Sequence, residues 1–157
     1  MINQLTAAGI RIWVDGGWGV DALLGRQTRH HDDLDLALLL VDVDRALHVL
    51  AALGYHVSLD ELPTRVGLRA DDERRVDLHP LTFDSDGNGL QQLQDGSFGT
   101  YSADGLRGEG RIAGRRVDCL TADLQIRFHR GYTPDDADRR DVALLAEAFG
   151  LPLPPEY

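Results

Sequence analysis

The sequence between Trp13 and Leu40 restricts the fold more than any other part of the chain. A short apolar strand, Arg11 to Asp15, runs into the glycine pair Gly16-Gly17 and then into a helical pattern from Trp18 to Leu24. Adjacent glycines at such a turn let backbone N–H groups approach a ligand closely, and a helix N-terminus favours an anion there. Next comes a strand in which Asp33 and Asp35, two residues apart, leave the same face. Leu34, Leu36, Leu38 and Leu40 take the opposite face, while Ala37 and Leu39 continue the aspartate face. Both faces therefore become apolar toward the strand's far end, so the sheet is covered on both sides there and opens to solvent at the carboxylates. A phosphate-cradling turn, a helix and a strand bearing Asp-x-Asp suit a nucleoside triphosphate with its divalent metal.

Around this unit the pattern predicts a helix over 2–8, a helix over 43–53, and strands over 55–60, 64–70 and 75–81. Asp77 and His79 share one face of the last strand, opposite Val76 and Leu78. The glycine-rich segment from Phe83 to Leu106 reads as loop, with at most a short strand over 98–101. A hairpin follows over 110–120, turning at Ala113-Gly114. A helix capped by Thr121 is expected to run to Arg130, with Gln125, His129 and Tyr132 on one stripe. A last helix is expected to start at Thr133-Pro134 and to pack through Val142, Leu145 and Phe149. Residues 1–157 are read as a single domain, with a sheet and site core over 1–120, a helical part over 121–150 and a tail over 151–157.

Charge and cysteine usage narrow the function. A formal net charge of −10 argues against nucleic acid as a partner and suits a cationic small molecule, although acidity also serves solubility. The single Cys119, in an apolar setting, cannot form an internal disulfide. No apolar run is long enough to cross a membrane, and the N-terminal residues lack the pattern of a signal peptide, so the expectation is a cytoplasmic protein with no membrane partner.

The strings Asp15-Gly16-Gly17-Trp18-Gly19-Val20-Asp21, His31-Asp32-Asp33-Leu34-Asp35 and Val76-Asp77-Leu78-His79-Pro80 together resemble the nucleotidyltransferase superfamily. They are most similar to lincosamide nucleotidyltransferases and aminoglycoside 2''-nucleotidyltransferases. That resemblance spans about Trp13 to Leu145 and implies an α/β (α+β) fold, a mixed sheet of the polymerase beta palm type with flanking helices. It implies AMP transfer from ATP to a hydroxyl of a small antibiotic, two Mg²⁺ ions held by Asp33, Asp35 and Asp77, and Asp77 as either a further ligand or the base. Gly16, Gly17, Arg29, His129 and Tyr132 are implied nucleotide contacts, His79 an acceptor contact, and a homodimer the assembly. Most superfamily members have serine where Trp18 stands, which shifts the phosphate contacts to backbone N–H groups. Two rival readings remain, a metal-dependent phosphohydrolase using His30, His31, Asp33 and Asp35, and a non-catalytic nucleotide-binding protein.

Overall fold

The computed structural model describes residues 1–157. Its elements in chain order are α1 (Ile2–Ala7), β1 (Ile12–Val14), α2 (Gly16–Leu24), β2 (Asp33–Leu39), α3 (Val43–Ala51), β3 (Tyr55–Glu61), β4 (Arg65–Ala70), β5 (Arg75–Phe83), β6 (Gly89–Gln92), β7 (Phe98–Tyr101), β8 (Gly108–Ile112), β9 (Arg115–Cys119), α4 (Ala122–Phe128) and α5 (Asp136–Phe149). The main sheet runs β3-β4-β5-β2-β1-β9-β8. Parallel β2–β5 and β1–β9 pairs sit among antiparallel ones, so the sheet is mixed.

Strand alternation divides the apolar residues between two layers. Leu36, Leu38, Val76, Leu78, Val66, Leu68, Ile12 and Val14 point to one side, where they bury against Leu5 of α1 and Ala46 and Leu50 of α3. On the other side Trp13, Ala37 and Leu81 form a smaller core with Tyr101, Leu106, Leu120 and Leu124. A third core joins α2, α4 and α5 through Val20, Ile126, Val142 and Leu145. Each fully buried aliphatic side chain contributes about 1.5–3 kcal/mol of transfer free energy. The aspartates of β2 and β5 thus stand on the face that the smaller core closes only at its far end.

Several sequence expectations need correction. The largest concerns residues 83–106, expected to be loop apart from a short strand over 98–101, which is β7. They form the antiparallel hairpin β6–β7, which pairs with the end of β5 through Thr82 and Phe83. Its inward side carries Gly89, Gln91 and Tyr101, whereas Phe98 points out and is 56 % exposed. Polar residues inside and an aromatic outside reverse the pattern that identifies a strand. Next, α4 ends at Phe128, so His129 is its C-cap and Tyr132 lies in the following turn. The expected stripe therefore breaks after Gln125. The last helix is capped by Asp135, not Thr133, because Asp135 and Asp138 each accept the other's backbone N–H in a reciprocal box. Phe149 remains half exposed, and Ala146 takes its place in the packing. At the start of the chain, α2 begins at Gly16 and Asp15 is its N-cap, not a strand residue.

A candidate nucleotidyl-transfer site

Register builds the site. In the parallel β2–β5 pair Asp35 lies opposite Asp77, and Asp33 opposite Arg75, which places three carboxylates on one face across two strands about 4.8 Å apart. Gly67 of β4 lies opposite Asp77 on its other flank, and a side chain there would meet Asp77 Oδ1 at 3.0 Å, so the glycine leaves the carboxylate room. Burial pushes the Asp33 and Asp77 carboxyls above the usual range, and the nearby Asp35 adds to both shifts. Arg75 opposes each shift, and His79 and Arg65 also oppose that of Asp77.

The glycine pair meets this face directly. Gly16 has a positive φ of 58°, and a Cβ on it would fall 2.2 Å from Asp35 Oδ2. Gly17 is confined on its other side, where a Cβ would fall 2.3 Å from His31 Nδ1 and 2.8 Å from an Arg29 guanidinium nitrogen. Both positions are closed to any side chain. Gly16→Ala should therefore displace the Asp35 carboxylate by about an ångström and cut turnover on the order of 10²-fold, with a stability loss of only about 1–2 kcal/mol. Steady-state rates beside a thermal melt check this.

The other candidate residues fall as follows. Arg29 grips Asp141 of α5 through Nε and a terminal nitrogen, the shorter bond being 2.7 Å, and gives another N–H to the His30 carbonyl. It lies beside Gly17 with most of its donors engaged. His31 packs at a tilt against Trp18 and gives its Nε2–H to Asp21, which also accepts two bonds from Thr28. His30 is exposed. The four-residue set that a phosphohydrolase would need is not assembled. His79 gives its Nε2–H to Asp35 Oδ1 at 3.0 Å, and its Nδ1 faces Gln91, so both ring nitrogens are engaged. His129 bonds to the Gln125 carbonyl, and Tyr132 is half exposed near Asp138 and Tyr157. Cys119 is buried and its thiol pushed up to about 12, an inert group.

Three participants, Asp15, Gln91 and Tyr101, lie outside the sequence expectations. Asp15 is a fourth carboxylate beside the site, buried, and its Oδ1 accepts the Gly16 N–H at 2.7 Å. Burial raises its proton affinity. An aspartate just before a glycine-led helix is a common N-cap, and that signal was available. Gln91 lies in β6, where loop is expected, and Tyr101 ends β7. Asp141, beside the apolar stripe of the last helix and the weakest site candidate in the sequence, is the partner of Arg29.

Chain-wide comparison agrees with this geometry. A family profile described as aminoglycoside-2''-adenylyltransferase matches residues 1–145. The chain belongs to that family. It is 29 % identical over 136 residues to a lincosamide resistance protein of Staphylococcus haemolyticus, covering 87 % of this chain and 84 % of that one. A 2''-aminoglycoside nucleotidyltransferase of Klebsiella pneumoniae is 32 % identical over 123 residues, covering 76 % of this chain and 65 % of the relative. Among solved structures, the lincomycin-bound lincosamide antibiotic adenylyltransferase LnuA superposes with a TM-score of 0.81 at 28 % identity, covering 91 % of this chain and 90 % of that one. The aminoglycoside enzyme ANT(2'')-Ia, in complex with adenylyl-2''-tobramycin, shares the fold with a TM-score of 0.74 at 23 % identity over 94 % of this chain and 84 % of that one. The family member described here is thus a nucleotidyltransferase with a nucleotide co-substrate, and its mixed sheet is that of these neighbours. No helix in it is long and apolar enough to cross a membrane.

The carboxylates suit a hard divalent cation. No three His, Cys, Asp or Glu side chains stand arranged as a metal cage. Mg²⁺ is usually held by one or two carboxylates together with substrate phosphates, and the Asp35–Asp77 pair offers that donor set.

Proposed function

We propose that this protein transfers AMP from ATP to a hydroxyl of a lincosamide-type antibiotic, with release of pyrophosphate. The observation that carries the reading is the contact of Gly16 with Asp35, which puts the phosphate turn against a carboxylate paired in register with Asp77. The near-complete mutual coverage with LnuA favours the lincosamide class. An aminoglycoside acceptor is the second reading, favoured by the family's own description.

In this scheme the N–H groups at Gly16 and Gly17 bind the triphosphate, with Arg29 bounding the turn. His129 and Tyr132 lie toward the nucleotide. Asp33, Asp35 and Asp77 would hold two Mg²⁺ ions, whose charge would offset that developing on the attacking and leaving oxygens. Asp77 takes the proton of the acceptor hydroxyl, whose oxygen bonds to the α-phosphorus as the bond to the pyrophosphate oxygen breaks. Residues 1–157 act as one domain, and two chains pair in the cytoplasm into a homodimer. Sedimentation at assay concentration as a single chain would refute the pairing alone.

The test is mass spectrometry of lincomycin, tobramycin and related antibiotics incubated with protein, ATP and Mg²⁺. An acceptor heavier by one AMP supports the reading, and the acceptor modified decides between the two classes. Phosphate release with no adduct would overturn it. A second expectation concerns the carboxylates themselves. In metal-free protein Asp33→Asn should raise Tm at neutral pH by roughly a degree or two while abolishing transfer. The sign follows from the raised carboxyl of Asp33, which binds a proton more readily folded than unfolded. Its charge therefore costs stability above that value and ceases to do so as pH falls through it. The gain from Asp33→Asn should shrink in acid, which melts at pH 7 and pH 4 would show.

A further inference from the structure

Five side chains form a circuit of contacts around the site, hydrogen-bonded from Asp15 through Tyr101, Gln91 and His79 to Asp35 and closed by packing at Gly16. Tyr101 O–H donates to Gln91 Oε1 at 3.1 Å and lies 3.4 Å from Asp15 Oδ2. Gln91 Nε2 donates to the Thr64 carbonyl at 2.9 Å and to His79 Nδ1 at 3.1 Å, and His79 Nε2–H reaches Asp35 Oδ1 at 3.0 Å. Asp35 packs against Gly16, whose N–H is held by Asp15, so the chain of contacts returns to its start. One contact fixes the direction of every proton. The Thr64 carbonyl can only accept, so the Gln91 atom facing it is the NH₂ group, and the same nitrogen faces His79. His79 Nδ1 must then accept, which leaves its proton on Nε2, aimed at Asp35. Gln91 is buried, and Tyr101 is held by edge-on packing against Phe128 at 4.6 Å.

We infer that Gln91 and Tyr101, carried by the β6–β7 hairpin, are positioning residues for Asp35 that act through the Nε2–H tautomer of His79 and lock that carboxylate to the Gly16 turn. This rests on the proposed role of Asp35 in nucleotidyl transfer. A histidine beside a cation-binding carboxylate is oriented by the group at its other nitrogen, and loss of such a partner typically costs 10–100-fold in metal affinity or activity. The hairpin is then part of the site, not a cover over it. Gln91→Glu tests the direction of the ring because it keeps size and shape but puts an acceptor opposite Nδ1.

The experiment has two arms on the full chain. Long-range ¹H–¹⁵N correlation of the metal-free protein reads the His79 ring. A neutral ring protonated at Nε2, lost in Gln91→Glu, is the expected result. A neutral ring protonated at Nδ1 would overturn the inference whatever the enzyme does. The second arm titrates Mn²⁺ alone and measures AMP transfer in Tyr101→Phe, which keeps the ring packing and removes only the hydroxyl, and in Gln91→Leu. Expected are Mn²⁺ binding weakened and kcat lowered, about 10–100-fold for Gln91→Leu and a few-fold for Tyr101→Phe, with the KM for acceptor unmoved. Full Mn²⁺ affinity in a folded Gln91→Leu would overturn the inference. If no acceptor is ever modified, the tautomer and Mn²⁺ results still decide it, so its failure and that of the transfer reading remain distinct.

Discussion

Asp77→Asn should lower AMP transfer by about 10²–10⁴-fold while leaving the fold intact. An asparagine keeps the volume beside Gly67 but takes no proton, and a positioned base contributes a factor of that size. The substitution also removes one of three crowded negative charges, so metal-free Asp77→Asn should melt no lower than the parent. Its Asp35 neighbour in the β2–β5 register then loses a source of repulsion. Transfer rates under saturating ATP and acceptor, beside a thermal melt, separate the two effects. A variant that retained more than a tenth of the parent kcat would remove Asp77 from the reaction.

Arg29→Ala should be the most destabilising single change outside the cores. Asp141 is only 1 % exposed and its carboxylate has the Arg29 guanidinium as its bonded partner, itself 27 % exposed. Removing one member of such a pair leaves a buried charge without compensation, which costs about 3–5 kcal/mol. At this chain length that is a fall in Tm of roughly 6–20 °C. Arg29 lies before β2 and Asp141 in α5, so the pair fastens the C-terminal helix to the loop beside the glycine turn. Arg29→Ala with Asp141→Leu should recover much of the loss, since an apolar pair can replace a buried ionic one. Denaturant melts of the single and double variants measure it. If the single change cost under about 1 kcal/mol, the pair would belong with ordinary surface ion pairs.

The parts of the fold legible from sequence were those whose residues obey one period. The leucine alternation of β2 and the spacing of Val43, Ala46, Leu47 and Leu50 in α3 read directly as strand and helix. The carboxylate face followed from that alternation, and the meander over residues 55–83 was readable because apolar and polar residues alternate in β4 and β5. Of the β6–β7 hairpin only β7 was readable, since its inward positions carry an amide, a phenol and two glycines. Such a strand satisfies hydrogen bonds instead of burying apolar area, and no hydrophobic period records it. The same cause hid the ring through Gln91 and Tyr101. The end of α4 was misplaced because nothing between Phe128 and Tyr132 marks a stop except Gly131, one residue beyond the expected end.

The hairpin's two sides answer to different demands. Its inner side, Gly89, Gln91, Gly99 and Tyr101, is tied to Asp35 and Asp15, whereas its outer side presents Leu90, Gln92, Phe98 and Thr100 away from that network. Substitutions on the outer side can accumulate without disturbing any bond that reaches the reacting groups. One surface of this four-residue strand pair is therefore free to diverge across a lineage while the other stays constant, much as a tool keeps its blade when its handle is recut.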